Sequence, residues 1–410
     1  MAEPVGEAGG PPIRPHERVR PPKLLIFGIT ITGILNNTLI GPSLPDIVAD
    51  FGRSDSGAGI IVAAGSLPGV VVAPAIGLAA DRYGRRKVLT PCLLAFSVFG
   101  LCAAAAPTFE LLVVARLLQG FGTAGLINLA VVLISDHWDG VERTALIGRN
   151  AAVLTLGLAV APPVGGLLAD AAGWRTSLML YAVGLPAAAF VWRLLPEDRP
   201  DVAASMGDQL RGARTALANP VVLATLGSGV LVFVMIFGGF LTAFPIHLED
   251  DFGLGAGARG AMIAVPALSS CLIAFNLGRI RERFALRGLL ILAGCTYVVA
   301  FAGIAASGLL VGIAAASVIY GIGEGVFIPS LQDAVADAAP PEQRGAVFAV
   351  WVGAARLGQT LGPLLVAGAL TFTTTTGVFV LATGLALVLL MGQIVGPIGR
   401  SSDGAGSAAR

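Results

Sequence analysis

Long apolar runs separated by short polar stretches constrain this chain more than any other feature of its sequence. Each run is near the roughly 20 residues that a helix needs to cross about 30 Å of hydrocarbon. The runs are predicted at 24–44, 57–80, 89–106, 109–135, 143–168, 174–195, 219–243, 256–279, 287–306, 309–336, 344–369 and 373–395. This pattern predicts an all-α membrane protein with twelve transmembrane helices.

The composition agrees with that prediction. Hydrophobic residues make up 55% of the 410 residues and charged residues only 12%, whereas soluble domains carry roughly 25% charged residues. The cations set the orientation, because cytoplasmic loops are enriched in lysine and arginine. With both termini inside, the 26 lysines and arginines fall in inner segments, except for three near outer ends and three within helices. We therefore expect a multi-pass protein of the plasma (inner) membrane with both termini in the cytoplasm.

Polar stretches divide the chain into two halves. Residues 1–22 are predicted to be a disordered cytoplasmic tail, and 397–410 a second cytoplasmic tail. The longest polar gap between runs, at 196–218, is predicted to be a cytoplasmic linker. The halves on either side of it, 23–195 and 219–396, then hold six helices each.

The two halves repeat each other at a constant offset of 201 positions. The matched pairs are Gly77 and Gly278, Gly120 and Gly321, Gly122 and Gly323, Asp136 and Asp337, Arg143 and Arg344, Pro162 and Pro363, and Phe51-Gly52 and Phe252-Gly253. Chance in a glycine-rich chain does not explain the offset, because aspartate, arginine and proline are matched as well. An offset of six helices gives both halves the same topology.

The polar stretch Gly77–Lys87, between the second and third runs, reads GLAADRYGRRK. Gly77 lets a neighbouring helix come close, and Gly84 supplies the geometry of a tight turn. Asp81 ends a helix, where it can accept hydrogen bonds from arginines or from a nearby helix N-terminus. Basic residues alone would fit any inner loop, but the order Gly-x-x-x-Asp-Arg-x-Gly-Arg-Arg-Lys resembles the loop between helices 2 and 3 of the major facilitator superfamily.

The resemblance implies two pseudo-symmetric six-helix bundles that rock about a substrate site near mid-membrane. It also implies a latch at the inner face, in which Asp81 and Arg85 bridge to Asp136 at the end of helix 4 and to the start of helix 11. The residues assigned to this latch are Gly77, Asp81, Arg82, Gly84, Arg85, Arg86, Asp136 and Arg143.

Helix 5 carries a second pattern of small residues and prolines. Its members are Gly148, Gly157, Ala161, Pro162, Gly165 and Gly166. Gly157, Ala161 and Gly165 are four residues apart and so form one ridge of small residues. Pro162 removes a backbone donor and bends the helix. The pattern resembles the antiporter motif of the superfamily, with Ala161 in place of a glycine, and implies exchange of a drug or metabolite for protons. The alternative is only a tight, kinked helix interface.

Arg116 is expected inside helix 4, where an arginine costs roughly 2.5–3.5 kcal/mol on insertion scales. It begins the stretch Arg116-Leu-Leu-Gln119-Gly120, which resembles a second motif of the superfamily. The resemblance implies a role in proton transfer or substrate binding. A structural tie to helix 1 or 2 is the alternative. Residues expected at the substrate cavity are Asn36, Asn37, Gln119, Thr123 and Asn128.

Glu324 is expected near the middle of helix 10. The residue that matches it in the first half is Thr123, so an acid is not needed to build the half. Our hypothesis is that Glu324 is the proton-coupling carboxylate, with Arg356 or Arg116 as its partner. The alternative is a permanent Glu324–Arg356 ion pair that fixes helix packing.

The resulting function prediction is a monomeric secondary transporter that exports small amphipathic drugs or metabolites in exchange for protons. An uptake permease for a sugar, organic acid or other nutrient is one alternative, and a non-transporting membrane sensor is another. An enzyme is not expected, since the sequence has neither a Gly-x-x-x-x-Gly-Lys-Ser/Thr stretch nor a catalytic Ser/His/Asp set. We expect no cofactor, metal or nucleic-acid partner, and a proton gradient as the energy source.

Overall fold

The computed structural model describes residues 20–197, 214, 217–338 and 344–399, with only the backbone for 344–346. Eleven helices in these ranges are long and apolar enough to cross a membrane. They are α1 (Lys23–Asp50), α2 (Ser56–Tyr83), α3 (Arg85–Ala104), α4 (Phe109–His137), α5 (Gly140–Ala172), α6 (Trp174–Leu194), α7 (Pro220–Asp250), α8 (Ala256–Arg283), α9 (Leu286–Ala306), α10 (Leu310–Asp337) and α12 (Thr375–Val395). A further 26-residue helix, α11 (Arg344–Ala369), lies between α10 and α12.

The all-helical fold class is thereby confirmed, because hydrocarbon leaves a chain few ways other than helices to satisfy its backbone hydrogen bonds. The predicted tails at 1–22 and 397–410 and the linker at 196–218 fall mostly outside the described residues. Their predicted disorder and cytoplasmic location stay predictions.

Four of the described helices are interrupted in ways that the apolar pattern does not predict, among them α6, which contains a 3₁₀ stretch at Met179–Val183. In α1 a 3₁₀ turn at Gly41–Ser43 precedes the outer segment Leu44–Asp50. In α7 the backbone widens into a π-helical stretch at Met235–Ala243. In α4 the helix Phe109–Thr123 stops and a second one, Leu126–His137, begins. At the break in α4, the backbone carbonyl group of Ala124 accepts a hydrogen bond from Arg356.

Tight turns connect the helices, and two of them reproduce the repeat in the backbone. Gly52 and Gly253, 201 positions apart, have φ angles of 60° and 62° after α1 and α7. Gly84 joins α2 to α3 with a φ of 91°, in the region that favours glycine. The turn geometry expected of Gly84 is therefore present.

Each half has its own hydrophobic core. The buried core of the second half runs from Val222 to Ile398 and contains aromatic rings of several helices, such as Phe240, Tyr297 and Tyr320. The cores of the first half take all but one of their buried members, Ile246, from that half. Separate cores are what two bundles that move as bodies require.

The halves meet along two seams, α2 against α11 and α5 against α8. Both seams depend on glycine. A Cβ atom at Gly59 would lie 2.2 Å from the carbonyl oxygen of Pro363, and one at Gly166 would lie 2.1 Å from that of Ala256. The helix backbones therefore touch directly at the outer ends of both seams, as small residues permit in membranes.

Candidate functional site

A cavity of about 230 Å³ lies between the halves, with walls from α1, α5, α7, α8 and α10. Most of its lining is apolar. The polar side chains in the wall are Thr38, Thr155, Ser270, Tyr320 and Glu324. Because these residues are near the middle of their helices, the cavity is at mid-membrane depth, where the repeated architecture predicts a substrate site.

Glu324 is the one charged residue in the wall of this cavity. It follows Tyr320 by one helical turn on α10, so the two side chains share a face. Tyr320 stacks on Phe240 with ring centroids 4.0 Å apart, and the buried hydroxyl groups of Tyr297 and Tyr320 have no hydrogen-bond partner among the described residues. The carboxyl group therefore sits in an apolar wall with hydroxyl donors nearby.

Arg116 is fully buried inside the first half, where α1, α4 and α6 meet. Its guanidinium group donates to Asn36 Oδ1 at 3.1 Å, Asn37 Oδ1 at 2.6 Å, Gln119 Oε1 at 2.6 Å and Tyr181 Oη at 3.3 Å. With its charge shared over four oxygen acceptors, Arg116 ties three helices of one bundle together.

The two asparagines extend the same network to α2. Asn36 donates to the carbonyl oxygen of Gly65 at 3.0 Å, and Asn37 donates to Ser66 Oγ at 2.9 Å. Gly65 has no room for a side chain, since a Cβ atom there would lie 2.4 Å from Arg116 Nη2. The sequence did not single out Ser66 or Tyr181, although a buried tyrosine hydroxyl in an apolar helix usually marks a hydrogen bond.

The five residues expected at the substrate cavity do not belong to the wall of the cavity described above. Asn36, Asn37 and Gln119 bind Arg116. Thr123 donates to the carbonyl oxygen of Gly120, and Asn128 is half-buried on α4. Their contact with substrate stays a prediction for another state of the protein.

Arg356 on α11 lies at the α2–α11 seam. Its guanidinium group donates to Gln359 Oε1 at 3.1 Å and, at 3.4 Å, to the carbonyl oxygen of Ala124 on α4. Among the described side chains no ion pair joins Glu324 to Arg356 or to Arg116. The permanent Glu324–Arg356 ion pair is therefore absent from this state.

The helix 5 pattern faces two different neighbours rather than one. Gly157 and Gly165 approach α1, with Cβ positions 3.1 Å from Ile34 Cγ2 and 2.7 Å from the carbonyl oxygen of Leu39. Gly166 and Pro162 approach α8 in the other half. Ala161 is buried between them, whereas a Cβ at Gly148 would meet nothing within 4 Å.

Arg85 joins two other residues of the predicted latch within the first half. Arg85 pairs with Asp81 at 2.7 Å and with Asp136 at 3.1 Å. Two further cations cover aromatic rings: Arg82 lies 5.6 Å from the ring centre of Tyr83, and Arg86 lies 4.4 Å from that of Trp192.

The contact of the latch with the second half is not seen. A Cβ at Gly77 would meet nothing within 4 Å, and Arg143 is exposed. The side chains at the start of α11 lie outside the described residues, so the predicted bridge to helix 11 stays a prediction.

The outer ends of the halves are held together by ion pairs and hydrogen bonds that were not predicted from the sequence. Arg259, only 1% exposed, pairs with Asp46 of the first half at 2.5 Å and with Glu249 of its own half at 2.7 Å. Nearby, Asp170 at the end of α5 accepts hydrogen bonds from the backbone N–H groups of Ala256 at 2.8 Å and Gly257 at 2.9 Å. The structure is therefore closed at the outer side. The sequence does offer a signal for this ion pair, because Arg259 lies near an outer end, where membrane proteins rarely carry arginine.

Close by, the Asp55 carboxyl lies between α1 and α2. Burial raises the pKa of Asp55 above its ordinary value.

In the described part of the chain, twelve helices in two repeated halves, with a cavity between them that is closed at one end, have the architecture of a membrane transporter. Sequence comparison gives the family: two overlapping matches to the model of the Major Facilitator Superfamily cover residues 26–312 and 226–401. The chain belongs to this superfamily, and it is a multi-pass transporter rather than an enzyme.

Individual relatives cover most of the chain. The chloramphenicol resistance protein of Streptomyces lividans is 28% identical over 361 residues, which cover 86% of this chain and 89% of that protein. The class B tetracycline resistance protein of Escherichia coli is 26% identical over 355 residues, or 83% and 86% of the two chains. A crystal structure of a D-xylose-proton symporter has a TM-score of 0.76 at 13% identity, covering 92% of this chain and 98% of that one, which shows the fold alone.

Proposed function

We propose that the protein is a proton-coupled antiporter that exports small amphipathic drugs or metabolites across the plasma (inner) membrane, with both termini in the cytoplasm. The observation that carries this proposal is Glu324, the one charged residue in the mostly apolar wall of the cavity between the halves. An apolar cavity suits weakly polar compounds, and a carboxyl group inside it can take up and release a proton.

The direction of transport rests on two supports. The helix 5 pattern resembles the antiporter motif, and two of its residues, Pro162 and Gly166, pack α5 against α8. The relatives from Streptomyces lividans and Escherichia coli are named as resistance proteins, and a transporter protects a cell by moving the compound outward.

The coupling step follows from the surroundings of Glu324. A carboxyl group that drives export by exchange takes up its proton while the cavity is open to the outer side and releases it while the cavity is open to the inner side. In the outward-closed state Glu324 has no cation among the described side chains. Water that enters from the inner side, with the nearby hydroxyl groups of Tyr297 and Tyr320, would favour the charged form of the carboxyl group and so release the proton inward. One proton moving through ~100 mV contributes about 2.3 kcal/mol, enough for a roughly fifty-fold substrate gradient.

The experiment is a panel of fluorescent drugs and dyes in everted vesicles, with and without an uncoupler. We expect energised uptake into these vesicles that the uncoupler abolishes. Accumulation by whole cells would instead identify an uptake permease, and an absence of any transport would favour a membrane sensor.

A pair of variants tests the coupling residue. Glu324→Gln should lose uphill export while still exchanging substrate down its gradient, because the amide cannot carry the proton. Glu110→Gln removes an exposed outer carboxyl group and should leave export unchanged. Proton-driven export at the normal rate in Glu324→Gln would assign the coupling to another group.

A further inference from the structure

Arg116, Arg259 and Arg356 each lie between helices, and they differ in how their charge is balanced. Arg116 donates to four oxygen acceptors within one bundle. Arg259 pairs with two carboxylates. Arg356 has neither arrangement: its partners are one amide oxygen at 3.1 Å and one carbonyl oxygen at 3.4 Å. Among the described residues it pairs with no carboxylate.

Arg356 and Gln359 do not line the cavity described above, and Arg356 lies at the α2–α11 seam. It packs against α2, where a Cβ at Gly69 would lie 3.2 Å from Arg356 Cδ, and it reaches the carbonyl group of Ala124 at the break in α4. The residue that matches Arg356 in the first half, 201 positions earlier, is Thr155, which lines the same cavity as Glu324. The pseudo-symmetry therefore places Arg356 at the same depth as Thr155, on the opposite seam.

The chain itself offers few anions at this depth. Asp81 and Asp136 are at the inner ends of their helices and bind Arg85, while Asp46 and Glu249 are at the outer ends and bind Arg259. Glu324 is at the right depth but makes no ion pair with Arg356 here. A cation inside the membrane needs a partner, so the missing anion is expected to come from outside the chain.

We propose that Arg356, together with Gln359, binds an acidic group of the substrate, and that the exported compounds are amphipathic organic anions such as carboxylates and phenolates. The proposal rests on the proposed export function and narrows its substrate class. The planar guanidinium group suits a carboxylate because two parallel N–H donors match its two oxygens. In this state those donors bind neutral acceptors, Gln359 and Ala124, which a charged oxygen can displace.

Binding measured in detergent tests the site without reference to the direction of transport. The probes are a fluorescent amphipathic carboxylate and its methyl ester, which differ in charge at one group. Wild type should prefer the carboxylate. Arg356→Gln should weaken carboxylate binding by about tenfold or more and change ester binding less than twofold. The carboxylate affinity of Arg356→Lys should lie between those of wild type and Arg356→Gln, because lysine keeps the positive charge but lacks the two parallel N–H donors of the guanidinium group.

Arg279→Gln, which removes an exposed cation from the inner half of α8, is the matched control and should bind both probes as wild type does. Equal losses for carboxylate and ester in Arg356→Gln, or no preference in wild type, would overturn the proposal. So would a double variant, Arg356→Gln with Glu324→Gln, that regains binding of both probes, since Arg356 would then serve only to neutralise Glu324.

The transport assay distinguishes the proposed anion-binding site from the proposed antiport function on which it rests. Uncoupler-sensitive export of the ester but not of the carboxylate would uphold the antiporter and reject the anion site. Carboxylate binding that depends on Arg356, in a protein without uphill export, would uphold the site and reject the antiporter.

Discussion

Arg116 illustrates how the contacts of one side chain decide between a structural and a transport role. Its position inside a helix fits both, and the sequence leaves both open. In the structure its two terminal amino groups, Nη1 and Nη2, donate to Asn36, Asn37, Gln119 and Tyr181, all in one half. A group held this firmly inside a rigid bundle is suited to stabilising that bundle.

We therefore expect Arg116→Gln to destabilise the protein. The shorter amide leaves buried oxygens of Asn36 and Asn37 without their donors, and each such oxygen costs about 1–3 kcal/mol. The apparent Tm in detergent should fall by several degrees, whereas Arg356→Gln, whose parent arginine has only two weakly placed acceptors, should melt near wild type. Wild-type melting of Arg116→Gln combined with lost export would contradict the structural role.

A sequence singles out a residue when the physical cost of placing that residue in the membrane can be read from its neighbours along the chain. Arg116 and Glu324 stand out because charges inside apolar runs are expensive. Tyr181 and Ser66 do not, because their partners come from other helices and only the packing of α1, α2, α4 and α6 brings them together. The assignment of Asn36 and Asn37 to substrate contact has the same weakness, since a buried amide serves a neighbour or a ligand equally well.

At the scale of elements, the α5–α8 seam depends on helices that touch without side chains between them. Gly166 approaches the carbonyl oxygen of Ala256, and Gly260 approaches that of Pro162, with Cβ positions only 2.1 and 2.3 Å away. Asp170 then caps the first turn of α8 from the other half. One added methyl group at the seam would have to push the helices apart.

We expect Gly166→Ala to loosen the outer end of this seam, because overpacking costs typically 1–3 kcal/mol. The amide hydrogens of Ala256 and Gly257, which Asp170 holds in wild type, should then exchange about tenfold faster. Hydrogen exchange with mass spectrometry measures this. Gly148→Ala on the same helix, where a Cβ meets nothing within 4 Å, is the control. Equal exchange in the two variants would mean that the seam tolerates the methyl group.

The sequence predicted the elements well and their interruptions poorly. The apolar runs give the twelve helices within a few residues, since the thickness of the membrane sets their length. The predicted run 24–44 nevertheless ends before the outer segment Leu44–Asp50, and the π-helical stretch at Met235–Ala243 was not expected. Both depend on packing against other helices, which hydropathy along the chain does not record.

At the scale of the whole molecule, an ion pair joins the two halves at the outer side in addition to the backbone contacts of the two seams. The Arg259–Asp46 pair crosses between halves, while the ion pairs described at the inner ends, such as Arg85 with Asp136, stay within the first half. Alternating access requires the outer contacts to break when the inner ones form. The pair is therefore well placed to set the balance between the two states.

Arg259→Gln should shift this balance toward the outward-open state. The substitution removes the cation between Asp46 and Glu249, and two partly exposed carboxylates, 39% and 41% accessible in this structure, then repel each other across the seam. In a cysteine-free background, a membrane-impermeant maleimide applied from outside should label Ser270→Cys in the cavity wall about tenfold faster than in the parent protein. Arg53→Gln breaks another outer ion pair, to Glu110 within the first half, and should not change the labelling rate. If both variants label at the same rate, the outer side is held closed by the backbone contacts of the two seams and not by the ion pair that crosses between the halves.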